Sequence, residues 1–211
     1  MNARAATDRF AQAANAGHVA AINELGRCYQ EGRAVTRDAA MALRWFKQAA
    51  DRGLVEGAVN AGSQLAATDA VQARHYFSQA AEAGHALAQF NLAVLYAEGR
   101  GGEIDHPGAF AWWQKAADQD QARAQLELAR SYRSGRGTNT NPGFAEIWYT
   151  RSSAQGNTAA TSELAELRAE QSRAQPTPTD LTEVVARSMK KAAESLATIT
   201  RRLPIINAPP S

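Results

Sequence analysis

The segment WFKQAADRG, residues 45–53, decides how this chain is read, because it returns. It comes back as YFSQAAEAG at 76–84, WWQKAADQD at 112–120 and WYTRSSAQG at 148–156, and a shortened relative, RFAQAANAG, stands at 9–17. The last residues of these copies are Gly17, Gly53, Gly84, Asp120 and Gly156, at intervals of 36, 31, 36 and 36. Such a period marks an array in which each unit buries its apolar face only by stacking on a neighbour.

The register extends beyond the copies. Four residues after each terminal position stands a small residue, Ala21, Gly57, Ala88, Ala124 or Ala160. Four further on come Leu25, Ala61, Leu92, Leu128 and Leu164, followed by a second small position at Gly26, Gly62, Ala93, Ala129 and Ala165. Three later stand Tyr29, Leu65, Tyr96 and Tyr132, and Arg168 breaks the series. These intervals lie on one face of a helix, called helix A. A second helix, helix B, carries the aromatic segment. Seven residues before each aromatic pair is Asn2, Asp38, Asp69, Asp105 or Asn141, a residue type that caps helix starts. Pro107 and Pro142 then fall in the first turn, where proline is tolerated. An alanine follows the Asx position by four (Ala6, Ala42, Ala73, Ala109, Ala145), and then a ring (Phe10, Phe46, Phe77, Trp113, Tyr149).

Composition excludes several classes. The 211 residues carry 23 basic and 21 acidic side chains, a balance that gives no nucleic-acid footprint. The single Cys28 forms no internal disulfide and points to a reduced compartment. No apolar run reaches the ~18 residues that a membrane span needs. The opening MNARAATDRF lacks the apolar core of a secretory signal, so a cytoplasmic protein is expected. A chain from which a leader had been cut would instead be periplasmic.

The pattern A-x3-LG-x2-Y…G-x-G…D-x3-A-x2-WY-x-KAA-x2-G resembles the Sel-one-like repeat, a relative of the tetratricopeptide repeat. The resemblance implies an all-α, right-handed α/α solenoid. Half-unit 2–17 is followed by units 18–53, 54–84, 85–120 and 121–156, then half-unit 157–171. Unit 54–84 is five residues short and has lost its glycine turn, so its helix A and turn are expected to be shorter. The family implies a non-enzymatic adaptor, scaffold, or inhibitor or immunity-type module that holds a protein or peptide and needs no cofactor. A subgroup with cysteine pairs in each repeat and beta-lactam binding fits poorly, since only Cys28 is present.

Motifs that look chemical are absorbed by the repeat. Gly99-Arg100-Gly101-Gly102 recurs as Gly32-Arg33-Ala34 and Gly135-Arg136-Gly137, always between helix A and helix B. A phosphate loop follows a strand and opens directly into a helix, so a helix-ending turn is the better reading. Trp112 and Trp113 occupy packing positions. The histidines His18, His75, His85 and His106 form no close ligand pair such as HExxH, and no metal site is expected. Cys28 falls mid-helix and reads as a buried structural thiol.

In tetratricopeptide-like arrays helix A forms the concave wall. That register offers Asn23, Arg27 and Gln30 in the first unit, and Val59, Asn60 and Ser63 in the second. It offers Phe90, Asn91 and Val94 in the third, and Leu126, Arg130 and Arg133 in the fourth. The expected groove is apolar at its middle with arginine at both ends, suited to an amphipathic or acidic-ended peptide. A small-molecule binder or weak hydrolase using the same groove is the alternative, though no acid–base pair stands there.

After the array, residues 172–179 read as a breaker-rich linker, 180–203 as an amphipathic helix and 204–211 as a disordered tail. Val185, Met189, Ala192, Leu196, Ile199 and Leu203 alternate by 4, 3, 4, 3 and 4 and form one apolar seam. The seam could fold back on the solenoid, enter a partner or pair with a second copy.

Overall fold

The helices start where the Asx positions place them. Asp38, Asp69, Asp105 and Asn141 each accept a hydrogen bond from the backbone N–H three residues on, at 2.9, 3.0, 2.8 and 3.0 Å. Each bond satisfies one of the amides a helix start leaves open. Asp105→Ala is expected to cost about 1 kcal/mol, read as a lowered urea midpoint with an unchanged slope. The computed structural model describes residues 3–174 and 178–202, and Asn2, the fifth expected cap, lies outside them.

Among the described residues there are eleven α-helices and no strand. Helices of type B are α1 (Ala3–Asn15), α3 (Ala39–Asp51), α5 (Ala70–Glu82), α7 (His106–Ala117) and α9 (Pro142–Ala154). Those of type A are α2 (Val19–Glu31), α4 (Val55–Leu65), α6 (Ala86–Glu98), α8 (Ala122–Ser134) and α10 (Thr158–Ala174), followed by α11 (Pro178–Arg202). Two compact units divide the chain after Leu164. In the first, each of α1 to α9 packs on its neighbours in the chain, the stacking of an α-solenoid.

Small residues set the stacking distance. A Cβ on Gly26 would meet the Phe46 ring at 2.7 Å, and one on Gly62 the Phe77 ring at 2.8 Å. A Cβ on Gly57 would meet the Ala50 backbone nitrogen at 2.8 Å. The repeated alanines Ala42, Ala73, Ala109 and Ala145 are fully buried, as are Phe46 and Tyr149, with Phe77 1% and Trp113 4% exposed. Cys28 is a buried thiol that accepts the Thr7 hydroxyl.

Helix A ends where glycine permits a left-handed residue: Gly32, Gly99 and Gly135 have φ of 73°, 66° and 76° and close α2, α6 and α8. The shortened unit behaves differently. Its α4 has 11 residues against 13 in α2, α6 and α8, and Asp69 begins α5 almost at once. With no glycine turn of its own, its C-terminal carbonyl at Ala66 is satisfied by the Arg100 guanidinium from the next unit.

In the second unit, α10 runs on to Ala174, so its helix extends past the array end expected at 171 and residues 172–174 are not linker. Helix α11 begins at Pro178, two residues before the expected 180, because proline fits a first turn. On α11, Val184, Val185, Met189 and Leu196 are exposed by 59, 56, 70 and 67%, as a solvated apolar seam would be. The Ile199 side chain, Leu203 and the tail 204–211 lie outside the described residues. No described helix is long and apolar enough to cross a membrane.

Candidate functional site

The helix-A positions of successive units meet at three cavities. The first, about 410 Å³ in volume, is lined by Asn23, Glu24, Arg27, Glu56, Val59, Asn60, His85 and Leu87. The second, about 220 Å³, is lined by Ser63, Ala66, Phe77, Asn91, Val94, Leu95 and Arg100. The third, about 400 Å³, is lined by Trp113, Glu127, Arg130, Ser131, Arg133, Ser134, Arg136, Tyr149 and Glu163. Nine of the twelve expected groove residues line one of these cavities, and Gln30, Phe90 and Leu126 line none.

The expected apolar middle is not open. Val59, Phe90 and Leu126 are only 7, 4 and 7% exposed, and Val94 is half-buried. The reason is the close stacking: these positions turn inward between adjacent helices, and the Arg123 guanidinium lies 4.6 Å above the Phe90 ring. What remains accessible is more polar than the sequence suggested. Asn60 donates to the Asn23 side chain at 2.9 Å, tying α4 to α2. Arg27 pairs with Glu24 and Glu31 on its own helix, and the Ser63 hydroxyl bonds back to the Val59 carbonyl.

The third cavity carries the densest charge. Arg130 donates from Nε to both oxygens of Glu163, at 3.0 and 3.1 Å, and from Nη1 to Glu127 at 2.7 Å. Tyr149 donates its hydroxyl to Glu163 at 2.9 Å, and Arg133 hydrogen-bonds the Tyr149 oxygen. Four helices, α7 to α10, thus place side chains on one cavity. The Arg130 hydrogen bond, with help from Tyr149, holds the Glu163 carboxyl below its ordinary 4.5 against the opposing effect of burial. Burial first, and then the Glu163 carboxylate, pushes the Tyr149 phenol up to about 12. Arg130 is pushed above its already high value by its bonds to Glu163.

Linkage gives the sign of a pH effect. A depressed carboxyl pKa stabilises the fold above 4.5 and loses that contribution as pH falls through the folded value. Wild type and Glu163→Gln should therefore differ most in stability near neutral pH and converge in acid. Urea denaturation across that range measures the gap; a gap that stays constant with pH contradicts the pairing.

Sequence reading missed Glu127, Ser134, Arg136, Trp113, Tyr149 and Glu163 as cavity residues. The Glu127–Arg130 pair was within reach, since residues three apart share a helix face. Glu163 was not, because it arrives from the next helix A, 33 positions on. A ladder of glutamines was missed too. Buried Gln89 and Gln125 bond the carbonyls of Ala81 and Ala117, and accept from Gln119 and Gln155, just past the end of the following helix B. His85 caps α6, its Nδ1 accepting from the Ala88 backbone N–H at 3.4 Å.

Helix pairs at a near-constant period, closed by left-handed glycines and stacked through small residues, define an α-solenoid of the helix–turn–helix repeat class. The chain belongs to the Sel1 repeat family, which matches residues 19–54, 61–85, 86–121 and 122–157. The second match starts late, where the unit is short. Among solved structures, a Sel1 repeat protein from Oxalobacter formigenes is 28% identical with a TM-score of 0.67, over 70% of this chain and 63% of that one. The c5321 protective antigen of uropathogenic Escherichia coli, with an SLR fold, is 24% identical with a TM-score of 0.73, over 98% of this chain and 45% of that one. Helicobacter pylori cysteine rich protein B is 20% identical with a TM-score of 0.51, over 61% and 96%. The chain thus spans less than two thirds of the first two proteins' length. No curated protein matches it by sequence. Sel1 repeats are protein-interaction modules and generally non-catalytic scaffolds.

Proposed function

We propose that this chain is a non-enzymatic interaction module that holds a protein or peptide against its helix-A face. The observation that carries the reading is the row of three cavities, each lined by helix-A residues of successive units and together offering arginine and asparagine donors beside half-buried Val94. Polar donors around a few apolar contacts are what an extended or helical peptide meets in a recognition groove. The lone, buried Cys28 supports a reduced, cytoplasm-like setting for this binding.

Capture of binding proteins from a native lysate tests the reading when it is made residue-specific. Ser63→Arg and Val94→Arg place bulk and charge in the central cavity. Ala111→Arg does the same at an exposed position of helix B. Loss of the same captured protein with both cavity variants, and retention with Ala111→Arg, is expected. Equal recovery with all three, in variants of unchanged helicity and melting temperature, would refute the helix-A assignment.

A further inference from the structure

The turn arginines of the repeats are not equivalent. In the first unit Arg33 pairs with Glu31 at 2.6 Å, and in the third Arg100 pairs with Glu98 at 3.2 Å, in each case the residue two positions earlier. In the fourth unit the residue two before Arg136 is Ser134. The turn is otherwise the same, with Gly135 and Gly137 at φ of 76° and 75°. Arg136 is exposed, lines the third cavity, and has no ion pair among the described residues. The serine has already committed its hydroxyl proton to the Arg130 carbonyl, at 2.8 Å.

A second, independent feature belongs to a residue that lines the same cavity. Phe46 and Phe77 fill the ring position of the first two units, whereas the third carries Trp113. Trp113 is 4% exposed, and its indole Nε1 has no acceptor among the described residues. Three other buried polar atoms share that condition, on Trp45, Gln64 and His106, but none of those residues lines any of the three cavities. A buried donor without an acceptor is costly, and an arriving acceptor relieves that cost.

We propose that the cavity at Arg136 and Trp113 is the seat of one carboxylate from the bound peptide, an acidic side chain or the C-terminus. This deepens the interaction reading above and rests on it. Arg130 is already spent on Glu127 and Glu163, so the cation of this cavity without an ion pair among the described residues is Arg136. Three guanidinium groups and two carboxylates line the cavity, and Arg136 is the one of the three that is exposed, a balance that suits a single carboxylate. A phosphate dianion would bring a second negative charge up against Glu127 and Glu163, so the single charge is favoured.

Titration of the 15N-labelled full chain, followed at the Trp113 indole N–H, tests the seat. The probes are a short blocked peptide of glycine and alanine with one central glutamate, its glutamine counterpart, and the glutamine peptide with a free C-terminal carboxylate. Inorganic phosphate is the fourth. Saturable movement of the Trp113 signal is expected with the glutamate peptide or the free C-terminus, and none with the blocked glutamine peptide. Whichever of the two binds more tightly identifies the source of the carboxylate. Ser134→Glu restores the residue found beside the other turn arginines, at an exposed position that should not disturb folding. It should weaken carboxylate binding by about tenfold or more, as should Arg136→Glu. Glutamate and glutamine peptides acting alike, no movement with either carboxylate, phosphate acting as strongly as carboxylate, or unchanged affinity in Ser134→Glu would each overturn the assignment. The interaction reading is judged separately, by the central-cavity variants, and survives if they lose the captured protein while Ser134→Glu keeps it.

Discussion

Phe77→Ala is expected to cost about 3–5 kcal/mol, the range for removing a fully buried ring. The ring is 1% exposed and lies against the backbone at Gly62, which a methyl group could not approach without clash. It belongs to a core that joins Phe46, Leu65, Tyr76, Leu92 and Leu95, so the void opens where three successive units meet. The neighbouring Gly62 and Ala61 have no longer side chain with which to fill it. In a solenoid each unit is held mainly by its neighbours, so weakening a central interface should also broaden the unfolding transition. Urea denaturation followed by helical circular dichroism measures both effects. Phe77→Leu, which keeps most of the volume, should recover more than half of the loss. A midpoint unchanged in Phe77→Ala would mean that the central unit is not stacked as described.

Gly137→Ala is expected to be nearly as damaging, for a different reason. An alanine at φ of +75° bears about 1–2 kcal/mol of backbone strain. That alone is tolerable, since the corresponding residue of the first unit is Ala34, at φ of 60°. What differs is the neighbour. A Cβ on Gly137 would stand 2.2 Å from the His106 carbonyl oxygen, at the start of the preceding helix B. The turn must lift away, adding about 1–3 kcal/mol of overpacking and moving Arg136 with it. Thermal unfolding should therefore shift downward, whereas the reverse change Ala34→Gly, which removes strain, should shift it slightly upward. Equal stability of Gly137→Ala and wild type would contradict the close seating of the turn on α7.

The array was legible because its information is local and repeated. The Asx caps, the buried alanines and the ring positions each recur in four or five copies, so one ambiguous copy, such as Arg168 or Ala61, does not obscure the rest. The glycine turn read correctly for the same reason: three occurrences between two helices exclude a phosphate loop more firmly than one could. The surface was less legible. Phe90 and Leu126 stood in a register that points toward the wall, but burial depends on how closely the next unit approaches, and that distance is set by small residues elsewhere. Phe90 is further covered by Arg123, a residue that belongs to the following helix A. The Arg130–Glu163–Tyr149 network joins three helices and leaves no spacing rule in the chain. The missing glutamate at Ser134 was visible all along, yet it acquires meaning only when Glu31 and Glu98 are seen paired with their turn arginines.

Hydrogen exchange of the full chain, alone and with the protein it captures, tests the central claim most directly. The amides of α4, α6 and α8 should exchange more slowly in the complex, with the Gly135–Gly137 turn among them, while those of α3, α5 and α7 stay unchanged. Slowing confined to the helix-B set would place the partner on the opposite face and contradict the account.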